Sequence, residues 1–233
     1  MLLATLFQFV SLAASPVILE YLAPNDTHSE LIRKYVDAVS SENQGRRDID
    51  VEVIITARIP RLNRQAKLRA LRSTSAKGTI AYTILDSCGD PLVKREVIAR
   101  YLAAETEARD SYEIAITPSH YKFRFTRTVE QAHRPVDVFQ LYPKHRRLGL
   151  VKGELWLDSQ TGLPVRESGF FVKNPSVFVR RIVFARDYEM QDGIAVPRQI
   201  ISTVDTRLVG RAELSIQFSD VQNRPQEENR QCQ

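Results

Sequence analysis

Four histidines, His28, His120, His133 and His145, are the residues of this chain best suited to hold a metal or pass a proton. None has ligand spacing with another histidine or a cysteine. Zinc needs three or four such donors converging on one point, so the pattern predicts no metal centre. GxSxG, GxxxxGK, GxGxxG, CxxC and HExxH are all absent; these are the local signatures of nucleophilic, nucleotide, redox and zinc chemistry. Acidic residues mostly alternate with basic ones along strand-like stretches, the pattern of solvated faces. No catalytic residue, metal ligand or cofactor is expected, and the chain reads as a non-enzyme. A small hydrolase whose carboxylates or histidines meet only in space is the enzymatic alternative.

What the chain does carry is binding chemistry. Arg58, Arg61, Arg64, Lys67, Arg69 and Arg72 crowd one segment with no acid among them. Lys144, His145, Arg146 and Arg147 form a second basic cluster. Such runs guard strand edges or offer a rim to phospholipid headgroups or an acidic partner. Large aromatics recur on strands: Tyr82, Tyr121, Phe123, Phe125, Trp156, Phe171, Phe178 and Phe184. Most must fill a core. Strand phase makes Tyr82, Tyr121, Phe123, Phe125, Trp156, Phe171 and Phe184 the candidates for lining an apolar cavity. Net charge is +5, and nucleic acid is not among the expected partners, since mild basicity alone is common.

The elements that must position these residues follow from periodicity. Thr27-His28-Ser29-Glu30 reads as a capping box, after which Leu31, Ile32, Tyr35, Val36 and Val39 share a helical face until Gly45. From Asp48 the period becomes two. Val51, Val53, Ile55 and Ala57 open the first strand, a second follows from Ala66 to Ser73, and a third holds Ile80, Tyr82 and Ile84. Asp90 can cap a second helix, with Pro91 at its first position and Val93, Val97, Tyr101 and Ala104 along its face. Nearly all the rest is strand. GELWLDSQTGLPVRES, Gly153 to Ser168, is a hairpin with the only tryptophan, Trp156, and with Gly162 at a position of positive φ. Trp156 is expected where sheet meets helices. Asp192-Gly193 is a second turn. About ten strands and two helices, not alternating, exclude a doubly wound parallel sheet. Two short helices cover so large a sheet only if it curls around them.

The chain has 233 residues, 43% hydrophobic and 26% charged, enough for a core without disulfide or metal. Met1 to Ala14 is apolar and uncharged; it is too short to span a bilayer, and Ser11-Leu12-Ala13 has the small-x-small pattern of a signal-peptidase site. Residues 1–13 are therefore read as a signal peptide, 27–221 as one domain, and 222–233 as a disordered polar tail. Cys88 and Cys232 are the two cysteines. Export would permit a bridge, but their settings favour two free thiols.

The runs GDPLVKREVIARYLAAE, GELWLDSQTGLPVRESG, KNPSVFVRRIVFARDYEMQDGIAVP and RLVGRAELSIQFSDV resemble the periplasmic lipoprotein-sorting proteins of the LolA-like superfamily, from about Leu31 to Val221. The resemblance implies an α+β, mostly antiparallel fold: a strongly curved, unclosed half-barrel with helices on its concave face. It implies a soluble, exported periplasmic monomer, carrying lipid or lipoprotein acyl chains in outer-membrane lipoprotein or lipid sorting. The alternative is a non-enzymatic periplasmic sensor or protein-interaction module with a filled core, its basic segment docking on a membrane protein or acidic partner. No binding residue is carried over from the family.

Overall fold

A computed structural model describes residues 26–45, 49–75, 79–107, 114–175, 177–207 and 210–220. The leader, Cys232 and the polar tail lie outside the described residues. Ten strands are present: β1 (Ile49–Ile59), β2 (Arg64–Thr74), β3 (Ile80–Gly89), β4 (Tyr121–Gln131), β5 (Arg134–Pro143), β6 (Val151–Asp158), β7 (Pro164–Phe171), β8 (Val179–Gln191), β9 (Ile194–Thr206) and β10 (Arg211–Asp220). They form one sheet in the order β3-β2-β1-β10-β9-β8-β7-β6-β5-β4. Every pairing is antiparallel. All neighbours but β1 and β10 are consecutive, so the sheet is a meander whose last strand returns to its first. β3 and β4 are the edges and do not pair, which leaves the sheet unclosed.

The pairing aligns one residue from every strand in a single row: Ser87, Leu68, Ile55, Ile216, Ile200, Arg186, Glu167, Leu155, Phe139 and Phe125. Period-two alternation sends this row to one face of the sheet. The neighbouring row, Asp86, Arg69, Ile54, Gln217, Gln199, Asp187, Arg166, Trp156, Val138 and Arg127, goes to the other. The first face is apolar except at its middle and near the β3 edge, where Ser87 and Arg72 lie; the second is mostly charged or amide.

The helices sit on the apolar face, over two separate clusters. Helix α1 (Asp26–Gly45) begins one residue before Thr27. Its Leu31 and Tyr35 are buried with Tyr121, Phe139, Leu141, Leu150, Leu155, Leu157 and Phe184, and Ile32, Val36 and Val39 pack against them. The second helix is continuous through α2 (Pro91–Val93), a π-wound segment (Lys94–Ile98) and α3 (Ala99–Glu107). Asp90 caps it: its carboxylate accepts from the Leu92 and Val93 amides at 2.8 and 3.1 Å. The π turn adds a residue, so Val93 and Ile98, five apart, are both buried in a cluster with β1, β2 and β10 residues. Val97, Tyr101 and Leu102 pack beside them, whereas Ala104 is exposed.

The turns obey their chemistry. Asp192 and Gly193 both have positive φ, 50° and 79°, the geometry of a tight two-residue hairpin turn. In the β6–β7 turn, Asp158 accepts from the Gln160 and Thr161 amides at 3.0 and 2.8 Å. Gly162 has φ +75°, and a β-carbon there would lie 2.7 Å from Lys34 Cβ on α1. The hairpin therefore docks against α1 through a backbone that only glycine fits.

Two expectations are corrected here. Trp156 does not sit between sheet and helices. Leu155 and Leu157 take the helix face and are buried, while the indole lies on the opposite face, half-buried. It donates to Glu154 Oε2 at 3.0 Å and lies under the Arg127 guanidinium, 5.4 Å from the ring centroid. Strict alternation forces this: with leucines on both sides, one face had to take the ring. The expectation of two free thiols fails as well, since Cys88, on the edge strand β3, is disulfide-bonded.

Candidate functional site

The apolar face of a ten-stranded sheet is wide. Nine spacings of about 4.8 Å make roughly 43 Å across if flat, and a helix with its side chains is about 10–12 Å thick. Two helices leave part of such a face to other occupants, and several apolar residues on it are only partly covered. Phe123, Phe171 and Val172 are partly buried around the α1 cluster, and Phe125 is 36% exposed.

Six of the seven aromatic candidates lie on this face, in two groups. Tyr121, Phe123, Phe125, Phe171 and Phe184 belong to the α1 end. Tyr121 is buried, its hydroxyl accepting from the Val151 amide at 3.0 Å. Burial pushes its pKa up to about 12, so it stays a neutral phenol. Phe171 and Phe184 pack with centroids 5.6 Å apart, and Phe125 stacks on His28 of α1 at 4.0 Å. Tyr82 stands apart on edge strand β3, packed beside the second helix. Trp156 belongs to neither group. Phe178 precedes β8 and is 53% exposed.

The basic segment does not form one patch. Arg58, Lys67 and Arg69 project from the charged face, and Arg61 and Arg64 flank the β1–β2 turn. Arg69 faces Glu52 at 3.6 Å and Arg64 faces Asp90 at 3.4 Å. Arg72 lies on the helix face, paired with Glu105 of α3 at 3.0 Å, and Tyr82 donates to the same carboxylate. Burial opposes the Arg72 charge, but Glu105 and Tyr82 together outweigh it and the pKa is raised. This cluster ties α3 to the edge of the sheet.

The polar group that periodicity missed is at the middle of the helix face. Arg186 of β8 stands directly across from Glu167 of β7. Its Nη1 donates to Glu167 Oε2 and to the Tyr188 hydroxyl, each at 3.4 Å, and that hydroxyl donates to Glu167 at 3.3 Å. Glu167 is buried. Burial pushes the Tyr188 phenol up to about 12. Tyr188 and Glu167 raise the Arg186 pKa above its ordinary value, so it stays charged. The signal was present in the strand phase: Phe184, Arg186 and Tyr188 share a face, so a charge occupies an apolar phase.

Among the described residues, no three histidine, cysteine, aspartate or glutamate side chains stand where they could share a metal. A shallow pocket of about 230 Å³ at the β4–β5 hairpin tip is lined by Thr128, Val129, Glu130, His133 and Pro135; none of the aromatic candidates reaches it. No helix among the described residues is long and apolar enough to cross a membrane.

No family model matches the chain, and no curated protein matches it. Solved structures do. A LolA superfamily protein from Nitrosomonas europaea is 14% identical, covering 82% of this chain and 91% of its own, with a TM-score of 0.41. A DUF1329 family protein from Desulfovibrio piger is 11% identical over 83% of this chain and 92% of its own, TM-score 0.39. The Pseudomonas aeruginosa MucA/MucB complex matches at 10% identity over 81% and 93%, TM-score 0.26.

Proposed function

We propose that this chain is a non-enzymatic, exported periplasmic carrier that holds a hydrophobic ligand, a lipid or the acyl chains of a lipoprotein, between its sheet and its helices. The observation that carries the reading is the incomplete cover of the apolar face. It has two buried clusters rather than one, each with its own helix, and partly covered aromatics around the α1 cluster. The resemblance of four sequence runs to LolA-like proteins points the same way. Residues from β4 to β8 share one cluster with α1, and a sheet that curls toward its helices would make that face concave.

The physical basis is simple. An acyl chain gains about 0.8 kcal/mol for each methylene taken from water, so a dry groove captures one readily. Release then requires a competing acceptor or a movement of α1 or the second helix. The interaction-module alternative has less support, since Arg72 lies on the helix face and Arg64, Arg69 and Arg72 are each paired within the chain.

Mass spectrometry of lipids co-purified under native conditions tests the proposal, together with displacement of a bound neutral fluorophore by fatty acid or lysolipid. A carrier yields a stoichiometric lipid and saturable displacement. No lipid and no fluorophore binding would overturn it.

A further inference from the structure

Strands β7 and β8 hold two ion pairs on adjacent residues, one on each face of the sheet. On the charged face, Arg166 and Asp187 meet at 2.7 Å, both sides about a third exposed (39% and 34%). On the helix face, Glu167 and Arg186 meet at 3.4 Å, with the carboxylate only 10% exposed and the guanidinium 38%. The order is the reverse of what burial demands. A pair withdrawn from water is tolerated only when its geometry is excellent and its remaining donors are satisfied. The two arginines are equally exposed, yet the pair with the exposed carboxylate has the short contact and the pair with the buried carboxylate is slack. All three bonds of the inner network, at 3.3–3.4 Å, exceed the roughly 2.7–2.9 Å typical of a charged pair.

The inner guanidinium is also incompletely used. Its Nη1 makes both contacts, while its Nε is buried and donates to nothing among the described residues. The Nε edge of a guanidinium is half of the fork that grips a carboxylate or phosphate with two parallel bonds. Along the sheet the row continues from Glu167 through Leu155, Phe139 and Phe125. From Arg186 to Phe125 is four strand spacings, about 19 Å. Tyr35 of α1 shares a cluster with Phe184, two residues from Arg186 on β8, and Tyr101 of α3 packs beside the cluster that Ile200, opposite Arg186 on β9, also meets.

We propose that Arg186 is the headgroup site for a single-chain anionic amphiphile, its Nε edge gripping a carboxylate or phosphate while the alkyl chain lies along the α1 half of the apolar face. Glu167 and Tyr188 hold the guanidinium charged and oriented when no ligand is bound. The inference rests on the carrier reading and names its ligand class.

The test uses the purified protein at pH 8 with Nile red, a neutral dye, displaced by laurate, by 1-dodecanol with the same chain, and by acetate as the headgroup alone. In the native chain laurate should displace the dye at a concentration at least tenfold below that of dodecanol, and acetate should not displace it. Arg186→Lys should lose part of that ratio, because it keeps the charge and loses the fork. Arg186→Met with Glu167→Gln, which leaves no unpaired charge, should bring the ratio close to one with dodecanol unchanged. Circular dichroism and a thermal melt confirm that each variant is folded. Equal displacement by laurate and dodecanol in the native chain, a preference that survives in the double variant, or displacement by acetate would overturn the inference and leave the carrier reading standing. Failure of both laurate and dodecanol to displace the dye would overturn the carrier reading, and the inference with it.

Discussion

The two ends of the helix face are built from different materials. Under the second helix, every buried cluster residue is aliphatic, and Val53, Ile55, Ala57 and Ile59 of β1 have no exposed surface. Under α1, Tyr35, Tyr121, Phe139 and Phe184 mix with leucines inside the cluster, and partly covered aromatics border both ends, Phe123 and Phe171 here and Tyr82, Tyr101 and Phe218 there. Alanines and β-branched residues have few rotamers to lose, so the first cluster packs with little conformational choice. Phe171 and Phe184 pack at 41° with centroids 5.6 Å apart, a favourable aromatic pair. On the carrier reading, the aliphatic end holds the fold and the aromatic end takes the ligand.

The largest expected effect probes the first half of that contrast. Ile55→Ala should cost about 2–5 kcal/mol in denaturant unfolding, the range for a fully buried aliphatic, with dye affinity unchanged in the folded fraction. A loss below 1 kcal/mol would mean that the aliphatic end is not the anchor. Gly162→Ala should cost about 1–2 kcal/mol, because alanine resists positive φ and its β-carbon meets Lys34 on α1. Since the strain falls on the α1 end, dye binding should weaken as well, which the Ile55 variant should not show. Trp156→Ala should cost about 2 kcal/mol rather than the roughly 3–5 of a fully buried ring, since part of its surface is already in water. Its location predicts no change in dye affinity; a fall in affinity would return the indole to the ligand's side. Phe125→Ala should leave stability within about 1 kcal/mol, given its exposure, but lower the affinity for dye and fatty acid severalfold. The smallest effect is a gain. Ala132 and His133 form the β4–β5 turn with φ of 49° and 61°, so His133→Gly should raise the unfolding midpoint by up to about 1 kcal/mol of stability, without touching either end of the face.

The legible part of the fold was local. Alternation in Val51, Val53, Ile55 and Ala57 located β1, Asp90-Pro91 located the second helix, and Asp192-Gly193 and Gly162 located two turns, because each rests on interactions within a few residues. The Ala132-His133 turn was not legible, since nothing in those side chains favours positive φ. The π turn was hidden for a related reason. A spacing of four from Val93 to Val97 reads as ordinary helix, and only contact with the sheet recruits Ile98. At the candidate site, strand phase placed six aromatics on one face but misassigned Trp156, where apolar residues occupy both phases and alternation has no preferred side.

What this sequence determined alone is its inventory of strands and helices, the two phases of each strand, and the absence of the familiar catalytic motifs. Those follow from periodicities of two and 3.6 residues and from spacing along the chain. Which phases align across the sheet was decided only by the tertiary structure. Arg186 and Glu167 are 19 residues apart, and Arg72 and Glu105 are 33 apart; nothing local marks either pair. Register between strands is a long-range agreement, set when every apolar phase turns to the same side at once. It is that agreement which put a charged pair in the middle of an apolar row and the only tryptophan on the other side.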